Sequence, residues 1–161
     1  MKKVLILIAG FIALILFGVC SYNPKNDFYG TYNFEKVSFL SPLSSSTIDY
    51  ANEKRKGTRY TIEADIFKIE AADHVVEINS PKYVKEEVHV DSSKAPDFSA
   101  LSGTKALIEN KIKYQYTIYN KDGGKTHWRL YYSSKGLWIA SYVDNTADGS
   151  EIIMELCKLT K

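Results

Sequence analysis

Ile112, Tyr114, Tyr116 and Ile118 alternate with Lys113, Gln115 and Thr117. A strict two-residue period puts one set on each side of an extended chain, whereas a helix would scatter both sets around its surface. The same period runs through Trp128, Leu130 and Tyr132, set against His127, Arg129 and Tyr131. It returns in Leu137, Ile139, Ser141 and Val143, set against Trp138, Ala140 and Tyr142. Between these runs lie Asn120-Lys121-Asp122-Gly123-Gly124 and Ser133-Ser134-Lys135-Gly136, which read as hairpin loops. Twelve tyrosines and seven phenylalanines point the same way, because aromatic side chains fit a pleated, half-buried surface. A chain so patterned is held to an antiparallel meander.

The alternation begins near Tyr29. Tyr32, Phe34, Val37 and Phe39 predict a first strand over residues 30–41, bulged near Lys36 where the phase slips and stopped by Pro42. Ser44 to Lys56 predicts a helix. Ser44, Ser45 or Ser46 would be its N-cap, Asp49 sits in the first turn, Lys54-Arg55-Lys56 in the last, and Gly57 stops it. Ile48 and Tyr50 give it little apolar face, so it belongs on the outside of a larger body. Tyr60 and Ile62, continued past a turn or bulge at Ala64-Asp65 by Phe67 and Ile69, then Val76 and Ile78, then Val84, Val88 and Val90 mark further short strands. Residues 91–104 read as a loop from which Phe98 and Leu101 tuck inward, and residues 151–159 as a last strand. A sheet of such strands must protect its edges, and closure removes them. The expected fold is all-β: an eight-stranded antiparallel up-and-down barrel with one short helix after the first strand.

Lys2 and Lys3 precede an uncharged stretch from Val4 to Phe17, and Gly18-Val19-Cys20 follows. Basic head, apolar run and small-residue junction describe an export signal. Leu16-Phe17-Gly18-Val19-Cys20 resembles the bacterial lipoprotein signal. The resemblance implies cleavage before Cys20, lipidation of its thiol, and a domain tied to the extracytoplasmic face of the cell membrane. Residues 1–19 are then the signal peptide, 20–28 the lipidated cysteine and tether, and 29–161 the barrel domain. A plain signal peptide and an uncleaved anchor are the alternatives, the run being short of the about 20 apolar residues a spanning helix needs.

Without residues 1–19 the chain keeps 142 residues, enough for one domain with a real core. Lys2 and Lys3 carry the whole net charge of +2, leaving 19 basic against 19 acidic residues. A neutral domain has no global field to draw nucleic acid, so membrane attachment falls to the anchor. Cys157 is the second of two cysteines. With Cys20 acylated it has no partner and reads as a packing residue; otherwise a Cys20–Cys157 bridge stays open.

The long first strand, the helical crossing and the run of hairpins resemble the lipocalin-like (calycin) barrels. Gly30-Thr31-Tyr32 stands where that family carries Gly-x-Trp. The resemblance implies that Gly30 and Tyr32 close one end of the barrel beneath an arginine from a late strand, Arg129 being the candidate. It also implies that the barrel mouth accepts a small hydrophobic or amphipathic ligand. Tyr114, Tyr116, Trp128, Tyr132 and Trp138 lie in neighbouring strands, where they form either ordinary core or the lining of such a cavity.

Reactive chemistry is not legible. Ser44-Ser45-Ser46 has no nucleophile setting and reads as a cap or loop. His74, His89 and His127 are scattered without metal-ligand spacing. Asp122-Gly123-Gly124 lacks the following ligands of a calcium loop. Glu63/Asp65 and Glu86/Glu87 read as solvated strand faces. The expectation is a protein that is not an enzyme, with no catalytic residue, metal or cofactor. Two functions stay in play. The favoured one is a lipid-anchored protein that binds a small hydrophobic or amphipathic ligand. The other is a surface module of the inhibitor or immunity type with a filled barrel. That module would meet an envelope or secreted protein through Lys54-Arg55-Lys56 and the exposed Tyr119 and Tyr131.

Overall fold

The computed structural model describes residues 27–88, 104–112, 114–144 and 151–161. The signal stretch, Cys20, His89, Phe98 and Leu101 lie outside the described residues. In chain order the elements are β1 (Gly30–Leu40), α1 (Ile48–Arg55), β2 (Arg59–Ile62), β3 (Ile66–Glu70), β4 (Val75–Asn79), β5 (Lys82–Glu87), α2 (Thr104–Glu109), β6 (Tyr114–Tyr119), β7 (Lys125–Ser133), β8 (Gly136–Asp144) and β9 (Glu151–Thr160). The strands form one antiparallel sheet in the order β4-β3-β2-β1-β9-β8-β7-β6-β5. Among the described residues the chain is thus mainly β, with two short helices.

Three features depart from the expected barrel: α2 is a second helix where one was expected, and the sheet itself differs in two ways. The sheet has nine strands instead of eight, and among the described residues no ladder joins β4 to β5, so it is not closed into a barrel. Its edges are nevertheless brought together. Eight antiparallel steps separate β4 from β5 across the sheet, so both run in the same direction. In sequence only Ser80 and Pro81 lie between them. Asn79 and Lys82 are therefore at most about 11 Å apart, whereas the edges of a flat nine-stranded sheet would be roughly 38 Å apart. The sheet is rolled, with its two edge strands laid end to end.

The break has a local cause. Ser80 adopts φ 51°, in the left-handed region, and its N–H donates to the Asp65 carbonyl at 2.7 Å. Pro81 has no N–H to offer a ladder. What would be one strand is split: β4 pairs with β3 alone and β5 with β6 alone.

Opposed residues of neighbouring strands share a face. One face turns inward and carries Tyr60, Ile62, Phe67, Ile69, Ile118, Leu130, Leu137 and Ile139, none more than 2 % exposed. On β7, β8 and β9 the other face is buried as well. There Tyr131, Trp138, Ala140 and Leu156 pack against Ala106, Leu107 and Ile112 on and after α2. The bulge read near Lys36 is present, as register shifts between Phe34 and Lys36 and between Val37 and Phe39.

Helix α1 starts later than the serine run. Thr47 is its N-cap, its Oγ1 accepting from the Tyr50 N–H at 3.3 Å; the Ser44 hydroxyl instead accepts from the Ser46 N–H at 3.1 Å. The helix lies beside the second half of β1, where β2 offers no ladder. There Asn52 Oδ1 accepts from the Val37 N–H at 2.8 Å, and Arg55 Nη2 donates to Glu155 Oε2 at 2.7 Å. Its outer side leaves Ile48 and Tyr50 exposed.

Candidate functional site

Four of the five aromatic residues singled out from the sequence share the inner face. Tyr114 is opposed by Tyr132, and Tyr116 by Leu130, with Trp128 two positions along the same strand. Trp138 is opposed by Tyr131 and lies on the other face. The structure therefore divides the set: alternation along β8 puts Leu137 and Ile139 inward and Trp138 outward. Tyr116, Trp128 and Tyr132 are half-buried against the inner core, while the Lys85 ammonium stands 3.8 Å from the Tyr114 ring centroid.

The space beside these rings is taken by Phe28, which is 1 % exposed. Its ring centroid lies 4.5 Å from that of Tyr116, 5.5 Å from Tyr83 and 5.1 Å from Tyr29. The Tyr32 hydroxyl donates to the Phe28 carbonyl at 2.8 Å and so pins this residue in place. Tyr83 reaches across the roll to donate to the Glu63 carbonyl at 3.1 Å. Burial raises the Tyr83 phenol well above its ordinary range, with Tyr29 and Glu63 adding to the effect.

The expected closure by Gly30, Tyr32 and Arg129 does not form. Gly30 opens β1 with φ 145°, and Tyr32 is buried on the inner face. The cation over the Tyr32 ring is Lys161, at 5.3 Å. Arg129 alternates out of phase with Leu130 and falls on the opposite face, 2 % exposed.

On that outer face Arg129 organises a polar cluster. Its Nη2 donates to both carboxylate oxygens of Glu151, and its guanidinium carbon lies 4.3 Å from the Tyr142 ring centroid. Lys125 Nζ donates to Glu151 Oε2 at 2.6 Å. Burial pushes the Glu151 carboxyl up, but hydrogen bonds from Arg129 and Lys125 outweigh it and hold its pKa below the ordinary value. The Tyr131 and Tyr142 hydroxyls meet each other, and Tyr131 also donates to Gln115 Oε1 at 3.2 Å. Burial, then Tyr142, raises the Tyr131 phenol well above its usual range. Tyr131 is 1 % exposed, so it cannot be the surface tyrosine the sequence predicts; α2 covers it. Tyr119 is half-buried. Among the described residues Arg129 Nη1 and Trp138 Nε1 are buried without a hydrogen-bond partner.

Two of the clefts lined by the described residues flank the rolled sheet. One, of about 610 Å³, lies between Glu77, Ile78 and Asn79 of β4 and Asn120, Lys121 and Asp122 of the β6–β7 loop. The other, of about 290 Å³, includes Tyr32, Tyr132, Lys135, Lys158 and Lys161. Among the described residues no three His, Cys, Asp or Glu side chains come together as metal ligands. Comparison with family models, curated proteins and solved structures found no match.

Proposed function

We propose that this chain is a lipid-anchored extracytoplasmic lipoprotein, lipocalin-like in its rolled meander, that binds an envelope or secreted protein. The observation that carries the interaction reading is Phe28. It occupies the inner face against Tyr83 and Tyr116, where a small ligand would have to lie. Ile118, Leu130 and Leu137 beneath it are fully buried. An interior filled in this way leaves the surface as the place for recognition, and the lipid on Cys20 would present that surface outside the membrane. Anchor and interaction are separable in experiment. Radioactive palmitate should label the chain and not its Cys20→Ala variant. Chemical cross-linking in the intact envelope, followed by titration of the purified partner, should give a saturable complex; the absence of any saturable complex overturns the reading.

Tyr116, Trp128 and Tyr132 favour a second reading, because they share the inner face and are only half-buried. Under it the protein carries a small hydrophobic or amphipathic molecule. Native mass spectrometry of protein from its own host would then show a bound mass beyond that of the acyl chains.

A further inference from the structure

Among the described residues β4 has a neighbouring strand on one side only. The Ala71 N–H donates to the His74 carbonyl at 3.0 Å, and the Ser80 N–H to the Asp65 carbonyl at 2.7 Å. Antiparallel ladders alternate hydrogen-bonded and non-bonded pairs. Between those two ends the bonded pairs are Ile69–Val76 and Phe67–Ile78. Val75, Glu77 and Asn79 therefore turn their N–H and C=O groups away from β3. Among the described residues no ladder meets them. Among the described residues a cleft of about 610 Å³ separates Glu77, Ile78 and Asn79 from Asn120–Asp122.

We propose that an extended segment of the partner protein adds to this edge as a strand, with apolar residues at alternate positions and basic residues between them. The proposal rests on the protein-interaction reading and supplies its site. Main-chain groups in a row call for another main chain, which is how strand addition gains affinity. Side chains of the added strand that fall beside Val76 and Ile78 turn toward the apolar inner core. Those beside Val75, Glu77 and Asn79 turn outward, where the Glu70 and Glu77 carboxylates share the Lys68 ammonium, at 2.9 and 4.0 Å, and Asp122 lies across the cleft beside Lys121, so that carboxylates exceed ammonium groups. That balance selects a basic segment. It also disfavours a second copy of this chain on the same edge, since two β4 strands would bring Glu77 against Glu77.

The test uses a nine-residue peptide of alternating valine and lysine, with a proline-interrupted version and a valine–glutamate version as controls. The valine–lysine peptide should bind saturably and slow exchange of the Val75, Glu77 and Asn79 amides at least tenfold, and both controls should bind at least tenfold more weakly. Glu77→Pro removes one outward N–H without touching the β3 ladder, so it should fold normally and lose at least tenfold in affinity. Glu77→Lys should weaken the valine–lysine peptide and strengthen the valine–glutamate one. No binding, protection at other amides, or equal binding by Glu77→Pro overturns the proposal. So does concentration-dependent dimerisation through β4. A partner still captured by Glu77→Pro overturns strand addition while leaving the interaction reading in place.

Discussion

The Arg129 guanidinium carbon stands 4.3 Å from the centre of the Tyr142 ring, and its Nη2 grips the Glu151 carboxylate. The two charges are unequally placed: Arg129 is 2 % exposed, whereas the Glu151 side chain is 26 % exposed and holds Lys125 as well. Removing one member of a buried pair is costly because the other is stranded without water. Glu151→Ala strands Arg129 and should destabilise by about 3–5 kcal/mol. Arg129→Met leaves Glu151 with Lys125 and partly solvated, so its cost should be clearly smaller. Urea denaturation of both variants decides it; equal losses would mean that Lys125 does not hold Glu151 on its own.

The same carboxylate sets a pH dependence. Its folded pKa lies below the ordinary value of 4.5 because Arg129 and Lys125 outweigh burial. The unfolded chain then binds the proton more readily than the folded one, so stability rises with pH through this range. The contribution is complete above the unfolded value and is lost as pH falls through the lower, folded one. Glu151→Gln should flatten the acid limb of the stability–pH curve. Thermal unfolding between pH 7 and pH 3 measures it, and parallel curves for the two proteins would contradict the assignment.

How far the sequence revealed this arrangement follows from what period-2 alternation encodes. It gives strands, faces and hairpins, and so placed Tyr114, Tyr116, Trp128 and Tyr132 together. It is blind to what covers a face. Gln115, Arg129 and Tyr131 read as solvent-facing because they alternate with apolar residues, yet Ala106, Leu107 and Ile112 close over that side. Aromaticity alone groups Trp138 with the inner rings, whereas its phase along β8 puts it outside. The break between β4 and β5 was signalled by Pro81. Its consequence, a sheet that does not close into a barrel among the described residues, depends on β5 leaving the β3 side for β6, a non-local pairing that local pattern does not specify. Phe28 carried no signal at all, since it precedes the alternating segment it completes.

Phe28 should be among the residues the fold can least spare. It is fully buried and touches Tyr29, Tyr83 and Tyr116. Phe28→Ala should cost about 3–5 kcal/mol, the usual loss when a buried ring leaves a cavity. Phe28→Leu, which keeps most of the volume, should cost markedly less. Calorimetry on both variants checks this. A loss below about 1 kcal/mol for the alanine variant, well under the usual range for a buried ring, would mean that the inner face is not filled there.

Cys157 should behave as an inert thiol until the sheet opens. It is 4 % exposed on the inner face. Burial first, then the nearby Glu155, raises its thiol well above the ordinary value. The thiolate is the reactive form, so both effects suppress modification. A disulfide reagent should label the native protein orders of magnitude more slowly than the urea-unfolded one, at a rate that follows global stability. Rapid labelling of the native protein would show that the inner face opens locally.

Ser80 tests the origin of the strand break. Its side chain is exposed, so substitutions there change backbone preference with little change in packing. Its φ of 51° is tolerated by glycine and strongly disfavoured for β-branched residues. Ser80→Gly lifts the Cβ penalty that Ser80 already carries and should hold or raise stability by up to about 1 kcal/mol, while Ser80→Val should lower it, because a β-branched side chain is a true outlier in left-handed backbone. Pro81→Ala restores an N–H and should be milder than Ser80→Val if the left-handed residue, and not the missing donor, turns the chain from β3 toward β6. Unfolding midpoints of the three variants rank the two causes. If Ser80→Val proves neutral, the turn is set by the ladders on either side of it instead of by the link itself.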